Sequence, residues 1–201
     1  AHPGADQGLR LDKIGSFAPW KSVTTVSGTV PANMTAMRGK VVVLDFWAGW
    51  CGVCKLMTPT LNEWQSKFGS QGLVVLGVSS DKHDVASKAT KAFGIDYAVG
   101  ADTTDKVFPG FNIPALPTMY VLDKSGVVRE VEVGFDAAHL KQTEKFIEKL
   151  LSEKAPLRRF VRAARRFPEL TMSIVTELLW TLRRAGLAIS TAEAIDLFRA
   201  W

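Results

Sequence analysis

The chain has 201 residues, a formal net charge of +5, 47% hydrophobic and 9% aromatic residues. That is a globular composition with enough apolar material for the core of one full domain and a small extra element. No apolar run approaches the length of a membrane span, no stretch reads as a signal peptide, and no nucleic-acid motif accompanies the basic charge.

In chain order, residues 1–8 are rich in glycine and polar side chains and read as a loose lead-in. They begin at Ala1 rather than Met, as in a mature exported protein or a trimmed chain. Residues 23–26 and 29–30, separated by Ser27-Gly28, read as a short N-terminal β-hairpin, and residues 34–37 as a helical turn. Residues 41–46 are a continuous apolar, β-branched run broken by Asp45, the pattern of a central strand covered on both faces. Residues 47–50 form a turn. Residues 51–68 read as a helix with Leu56, Leu61, Trp64 and Phe68 inward, a kink at Pro59, and Gly69 and Gly72 at its end.

Residues 73–79 read as a second buried parallel strand and 84–93 as a helix ended by Gly94. Residues 95–111 carry a short extended piece at 97–99 and a helical turn near Asp105. Residues 118–122 and 127–133 pair as an antiparallel hairpin through Asp123-Lys124-Ser125-Gly126, and a helix over 137–153 completes the unit. Together they predict a mixed central sheet with helices on both faces, an α/β domain over residues 8–152.

Residues 154–201 read as a helical extension. Pro156 and Pro168 bracket an amphipathic helix with Leu157, Phe160, Val161, Ala164 and Phe167 on one side and Arg158, Arg159, Arg162, Arg165 and Arg166 on the other. A second helix covers 169–185, and a capping box at Ser190 and Glu193 opens a third. A basic amphipathic helix suits a partner protein or a membrane surface, so contact through residues 157–201 is the expectation. Packing on the chain's own domain is the alternative.

The chemistry concentrates at Cys51 and Cys54, directly after the central strand. A structural zinc needs about four ligands. The chain has no third cysteine, and His2, His83 and His139 are scattered, so no metal is expected. A purely structural bridge across so short a loop removes little entropy from the unfolded chain. A redox dithiol after a strand fits best. At a helix start, unpaired N–H groups and the macrodipole stabilise a thiolate, and Cys51 is the residue so placed.

This stretch resembles the active site of the thioredoxin superfamily: a strand, then Trp50-Cys51-Gly52-Val53-Cys54-Lys55, with Pro59 five residues after Cys54. A second motif, Leu116-Pro117-Thr118, resembles the family's cis-proline loop facing the cysteines. Across about residues 8–152 the resemblance is closest to the extracytoplasmic TlpA/ResA group. It implies the thioredoxin fold, with an N-terminal hairpin and an insert before the proline strand. It also implies a thiol-disulfide oxidoreductase that needs no cofactor, most simply a reductant, outside the cytoplasm; a membrane-associated place would come from the basic helices of residues 157–201. Its partners would be a protein disulfide substrate and a thiol electron donor. Catalysis falls to Cys51, Cys54 and Asp45, and substrate contact to Trp50, Gly52, Val53, Leu116, Pro117 and Thr118.

Some positions depart from the group. Met57 stands where apocytochrome reductases often carry Glu, and Asp45 where they commonly carry Asn; the aspartate matches thioredoxin itself. A buried carboxylate near the second cysteine serves as its proton acceptor, whereas the bland reading is a hydrogen-bonded strand residue. Val53 replaces the proline of thioredoxin. The peroxiredoxin motif Pro-x-x-x-Thr-x-x-Cys is absent, since Leu44 and Ala48 occupy its positions. A redox sensor, or a non-catalytic binding module acting through the C-terminal helices, are the other function classes.

Overall fold

The computed structural model describes residues 20–153. The expectations for residues 1–19 and 154–201, including the three C-terminal helices, lie outside the described residues.

The central strand is β2, Val41–Trp47, and each of its seven residues is buried. Alternation sends Val41, Val43 and Trp47 to one face and Val42, Leu44 and Phe46 to the other, so both faces have a core. β2 pairs in parallel with β3 (Leu73–Ser79), which pairs in parallel with β4 (Ala98–Asp102). On its other side β2 runs antiparallel to β5 (Thr118–Leu122), and β5 to β6 (Val128–Val133). With β1 (Val23–Ser27) at the far edge, the sheet has six strands in the order β1-β4-β3-β2-β5-β6.

Helices α1 (Cys54–Phe68), α2 (His83–Phe93) and α4 (Ala137–Ser152) contribute to the first core through Leu61, Trp64, Ala89, Leu140 and Ile147. The second core is closed by Trp20, Val107 and Phe111 around Phe46 and Tyr120, with α3 (Val107–Gly110) a single turn. This turn is held by Asp102, whose Oδ2 accepts from the N–H of Val107 at 2.7 Å. Gly94, at φ 68°, closes α2 in the left-handed region. Among the described residues, no helix is long and apolar enough to cross a membrane.

Three expectations need correction. Leu56, expected on the inner side of its helix, is 56% exposed, because the buried face of that helix runs through Cys54, Met57, Thr58, Leu61, Trp64 and Phe68. The N-terminal hairpin does not form: β1 pairs antiparallel with β4, Val23 opposite Asp102, and Thr29-Val30 is no strand. A two-residue arm ending at Pro31, which has no N–H, offers too few ladder bonds to compete with a full edge strand. The helix after β2 starts at Cys54 rather than Cys51. Two successive turns, Cys51 N–H to Ala48 O at 3.0 Å and Cys54 N–H to Cys51 O at 3.1 Å, occupy the residues between.

Candidate active site

The loop from β2 into α1 is fastened to the loop that follows β3. Ser80 N–H donates to Trp47 O at 3.1 Å. Gly49 N–H donates to Asp81 Oδ2 at 2.6 Å, an oxygen that also accepts from Ser79 Oγ at 3.0 Å. Glycine is required here by space, since a Cβ at residue 49 would stand 2.8 Å from the Cβ of Ala89. The turn carrying Trp50 and Cys51 is therefore built on a polar anchor and a close helix contact.

Cys51 and Cys54 form a disulfide with their Cα atoms 5.3 Å apart. The first N–H of α1, that of Cys54, points at Cys51 Sγ from 3.2 Å. In this oxidised state the two cysteines are 5% and 4% exposed, so burial alone does not rank them. Their neighbours do protrude. Trp50 is 75% exposed, and Val53, Leu56 and Gly52 are exposed as well, an apolar rim around the bridge.

Asp45 is buried within β2, between Gly77 of β3 and Met119 of β5. By alternation it lies on the face of Val43 and Trp47, the face packed against Cys54 and α1. Desolvation pushes its carboxyl up to about 7, partly offset by the hydroxyl of Tyr97, which donates to Oδ2 at 2.9 Å. Oδ1 has no hydrogen-bond partner among the described residues.

The Leu116–Pro117 peptide is cis. Leu116 packs against the core that holds both cysteines. Pro117 O accepts from Gly134 N–H at 2.8 Å, and the Leu116 backbone makes no hydrogen bond among the described residues. Thr118 is fully buried, and its hydroxyl donates to Ala115 O at 2.7 Å. Its side chain thus braces the proline loop from within.

Sequence reasoning did not single out Tyr97, Thr58 or Asp81. The signal for Tyr97 was a hydroxyl in an otherwise apolar extended piece. For metal, the nearest grouping among the described residues is Glu130, Glu132 and His139, whose ligand atoms lie within 4.8 Å of one another. His139 Nε2 is 2.8 Å from Glu130 Oε1, a direct hydrogen-bonded contact that needs no ion between them.

Residues 14–131 match the model of the AhpC/TSA family. The chain is 30% identical over 155 residues to thiol-disulfide oxidoreductase ResA of Bacillus thuringiensis, covering 75% of this chain and 86% of that protein. ResA of Geobacillus kaustophilus is 31% identical over 122 residues, 60% of this chain and 70% of the relative. Among solved structures, a putative thiol:disulfide interchange protein DsbE from Chlorobium tepidum superposes with a TM-score of 0.62 at 28% identity, covering 74% of this chain and 100% of that one.

Proposed function

The chain belongs to the AhpC/TSA family and is a thiol-disulfide oxidoreductase of the ResA/DsbE type, and we propose that it acts as a reductant of protein disulfides through Cys51 and Cys54. The observation that carries the dithiol chemistry is the Cys51–Cys54 pair at the start of α1, with a helix N–H directed at the Cys51 sulfur, while its direction is set by the potential of the pair against the compartment poise.

In the reduced enzyme, Cys51 thiolate attacks one sulfur of a substrate disulfide. A Cys51–substrate bond forms and the substrate's own S–S bond breaks, its second sulfur leaving as a thiolate that takes a proton from solvent. Cys54 then loses its proton to Asp45 and attacks Cys51 Sγ. The Cys51–Cys54 bond forms, the mixed disulfide breaks, and the remaining substrate sulfur leaves as a thiolate. The substrate gains two electrons and the enzyme pair loses them. An outside thiol donor restores the dithiol.

Trp50, Gly52 and Val53 supply the apolar rim against which the substrate rests. The unbonded backbone of Leu116 supports pairing with an extended substrate segment, with Pro117 and Thr118 holding that loop. A peroxidase is not proposed, because Leu44 and Ala48 replace the proline and threonine of that motif.

The likeness to ResA supports a place outside the cytoplasm. The five arginines between Arg158 and Arg166 support contact of residues 157–201 with an acidic partner or membrane surface. No metal or cofactor enters this scheme.

The test is the reduction of a model protein disulfide, together with the reduction potential of the pair. Catalysis lost in Cys51→Ser and a potential below the poise of the compartment support the reading; a potential above that poise assigns an oxidant instead.

A further inference from the structure

In the row across the sheet at Asp45, the neighbour on β3 is Gly77. A Cβ there would stand 2.9 Å from Trp47 Nε1 and 3.1 Å from Tyr97 Cε2, so the missing side chain is what seats the Tyr97 ring. Tyr97 is 3% exposed and donates to Asp45 Oδ2. The same hydroxyl has the Thr58 hydroxyl as a second hydrogen-bonding neighbour. Thr58 is buried on α1, four residues after Cys54 and therefore about one helical turn away. Side chains from β2, from the segment before β4 and from α1 thus converge beside the second cysteine's helix turn.

We propose that Tyr97 is a positioning residue for the resolving step, holding Asp45 Oδ2 so that the unbonded Oδ1 receives the Cys54 proton. The inference rests on the dithiol reading above. A carboxylate bonded at one oxygen keeps a fixed rotamer and a free acceptor, whereas an unbonded one in an apolar site has neither. The bond also acts on proton affinity: burial raises that of Asp45 and the Tyr97 donor lowers it. Few other groups compete. From α1 and its preceding turn come the two sulfurs, joined here as a disulfide, from β3 Gly77, from β5 Met119. Glu132 of β6 is next in the row beyond Met119, with Glu130 and His139 beside it.

The test uses the full oxidised chain and a carbon-13 NMR titration of the Asp45 carboxyl, assigned with Asp45→Asn. In Tyr97→Phe the midpoint is expected to rise by about one unit, a tenfold change in proton binding. The acid limb of the pH profile for mixed-disulfide decay should move with it. In the unsubstituted protein, the Tyr97 ring carbon bearing the hydroxyl should shift with the Asp45 midpoint, a readout that needs no variant to fold. A Tyr97 signal flat through that titration, or an unmoved midpoint in folded Tyr97→Phe, overturns the proposal. So does a moved midpoint with an unmoved decay profile. Absence of turnover in the unsubstituted enzyme would instead strike the oxidoreductase reading, since the titration is independent of turnover.

Discussion

The backbone N–H of Cys54 donates to Sγ of Cys51 at 3.2 Å, so the residue proposed to resolve the mixed disulfide also supplies the dipole that favours negative charge on its partner. The relationship is one-directional: Cys51 N–H is turned to Ala48 O at 3.0 Å and does not face Cys54 Sγ. The asymmetry ranks the two thiols where burial does not. In the reduced protein Cys51 should therefore be alkylated faster than Cys54. Cys54→Ser should accumulate a covalent complex with substrate, and Cys51→Ser should not. Mass spectrometry of the trapped species checks both, and preferential capture through Cys54 reverses the assignment.

Asp45 makes a separate prediction about stability. Its folded carboxyl is pushed from 3.8 up to about 7 by burial. Between those values the folded chain holds a proton that the unfolded chain has released, so stability falls as pH rises through this window. Asp45→Asn keeps the shape without the titration. Relative to the unsubstituted protein, the variant should gain stability steadily from about pH 4 to about pH 7 and then level off, the full gain being on the order of 4 kcal/mol. Urea unfolding of both oxidised proteins at several pH values measures the difference. A gap that stays constant with pH would show that Asp45 titrates alike folded and unfolded. Under the proposed mechanism, resolution in the variant should meanwhile be slow at neutral pH, where the unsubstituted carboxylate is proposed to serve as base.

The parts of this site legible in the sequence are those written in short-range patterns. The β-branched run of β2, the cysteine spacing and the turn residues at 123–126 each specify local geometry within a few positions. Asp45 was visible because one charge interrupts an apolar strand. Its partner was not, because Tyr97 stands 52 residues away and reads locally as an ordinary strand residue. Gly77 likewise reads as a weak spot in β3 until the ring that fills its place is known. The pairing of β1 failed for the same reason: Val23 meets Asp102 through the tertiary fold, while the nearby Thr29-Val30 only looked like a partner. α1 starts later than the sequence pattern predicts because helix-compatible residues at 51–53 are spent on consecutive turns.

Lys124 joins the hairpin turn to the end of α4. Its Nζ donates to Leu151 O at 2.6 Å and to Glu153 O at 2.8 Å, placing a cation on carbonyls left open by the helix end. Lys124→Met keeps most of the stem and removes the charge and donors. The loss should be about 1.5–3 kcal/mol, the range for hydrogen bonds involving a charged group. The turn lies at the opposite end of β5 from Pro117, so turnover of a model disulfide should be unchanged at temperatures where the variant is folded. A variant as stable as the parent would show that solvent satisfies these carbonyls equally well.

Asp81 carries the last prediction, because it holds the active-site turn without touching the sulfurs. Its Oδ2 receives Gly49 N–H at 2.6 Å, and the next bond along, Cys51 N–H to Ala48 O, belongs to the turn so anchored. Asp81→Ala leaves that N–H without its acceptor and should cost about 1–3 kcal/mol. Asp81→Asn keeps an acceptor oxygen and should lose less. Because the turn sets where Cys51 sits, formation of the mixed disulfide should slow several-fold in Asp81→Ala even where the protein remains folded. Gly49→Ala attacks the same anchor sterically, as its Cβ would meet that of Ala89 at 2.8 Å. It should destabilise by about 1–3 kcal/mol, the range for overpacking a tight contact. Adding Ala89→Gly should recover part of that loss by removing the opposing methyl. Stopped-flow measurement of mixed-disulfide formation separates the two effects: if Asp81→Ala reacts as fast as the parent at equal folded fraction, the anchor serves stability alone and the position of Cys51 is set elsewhere in the loop.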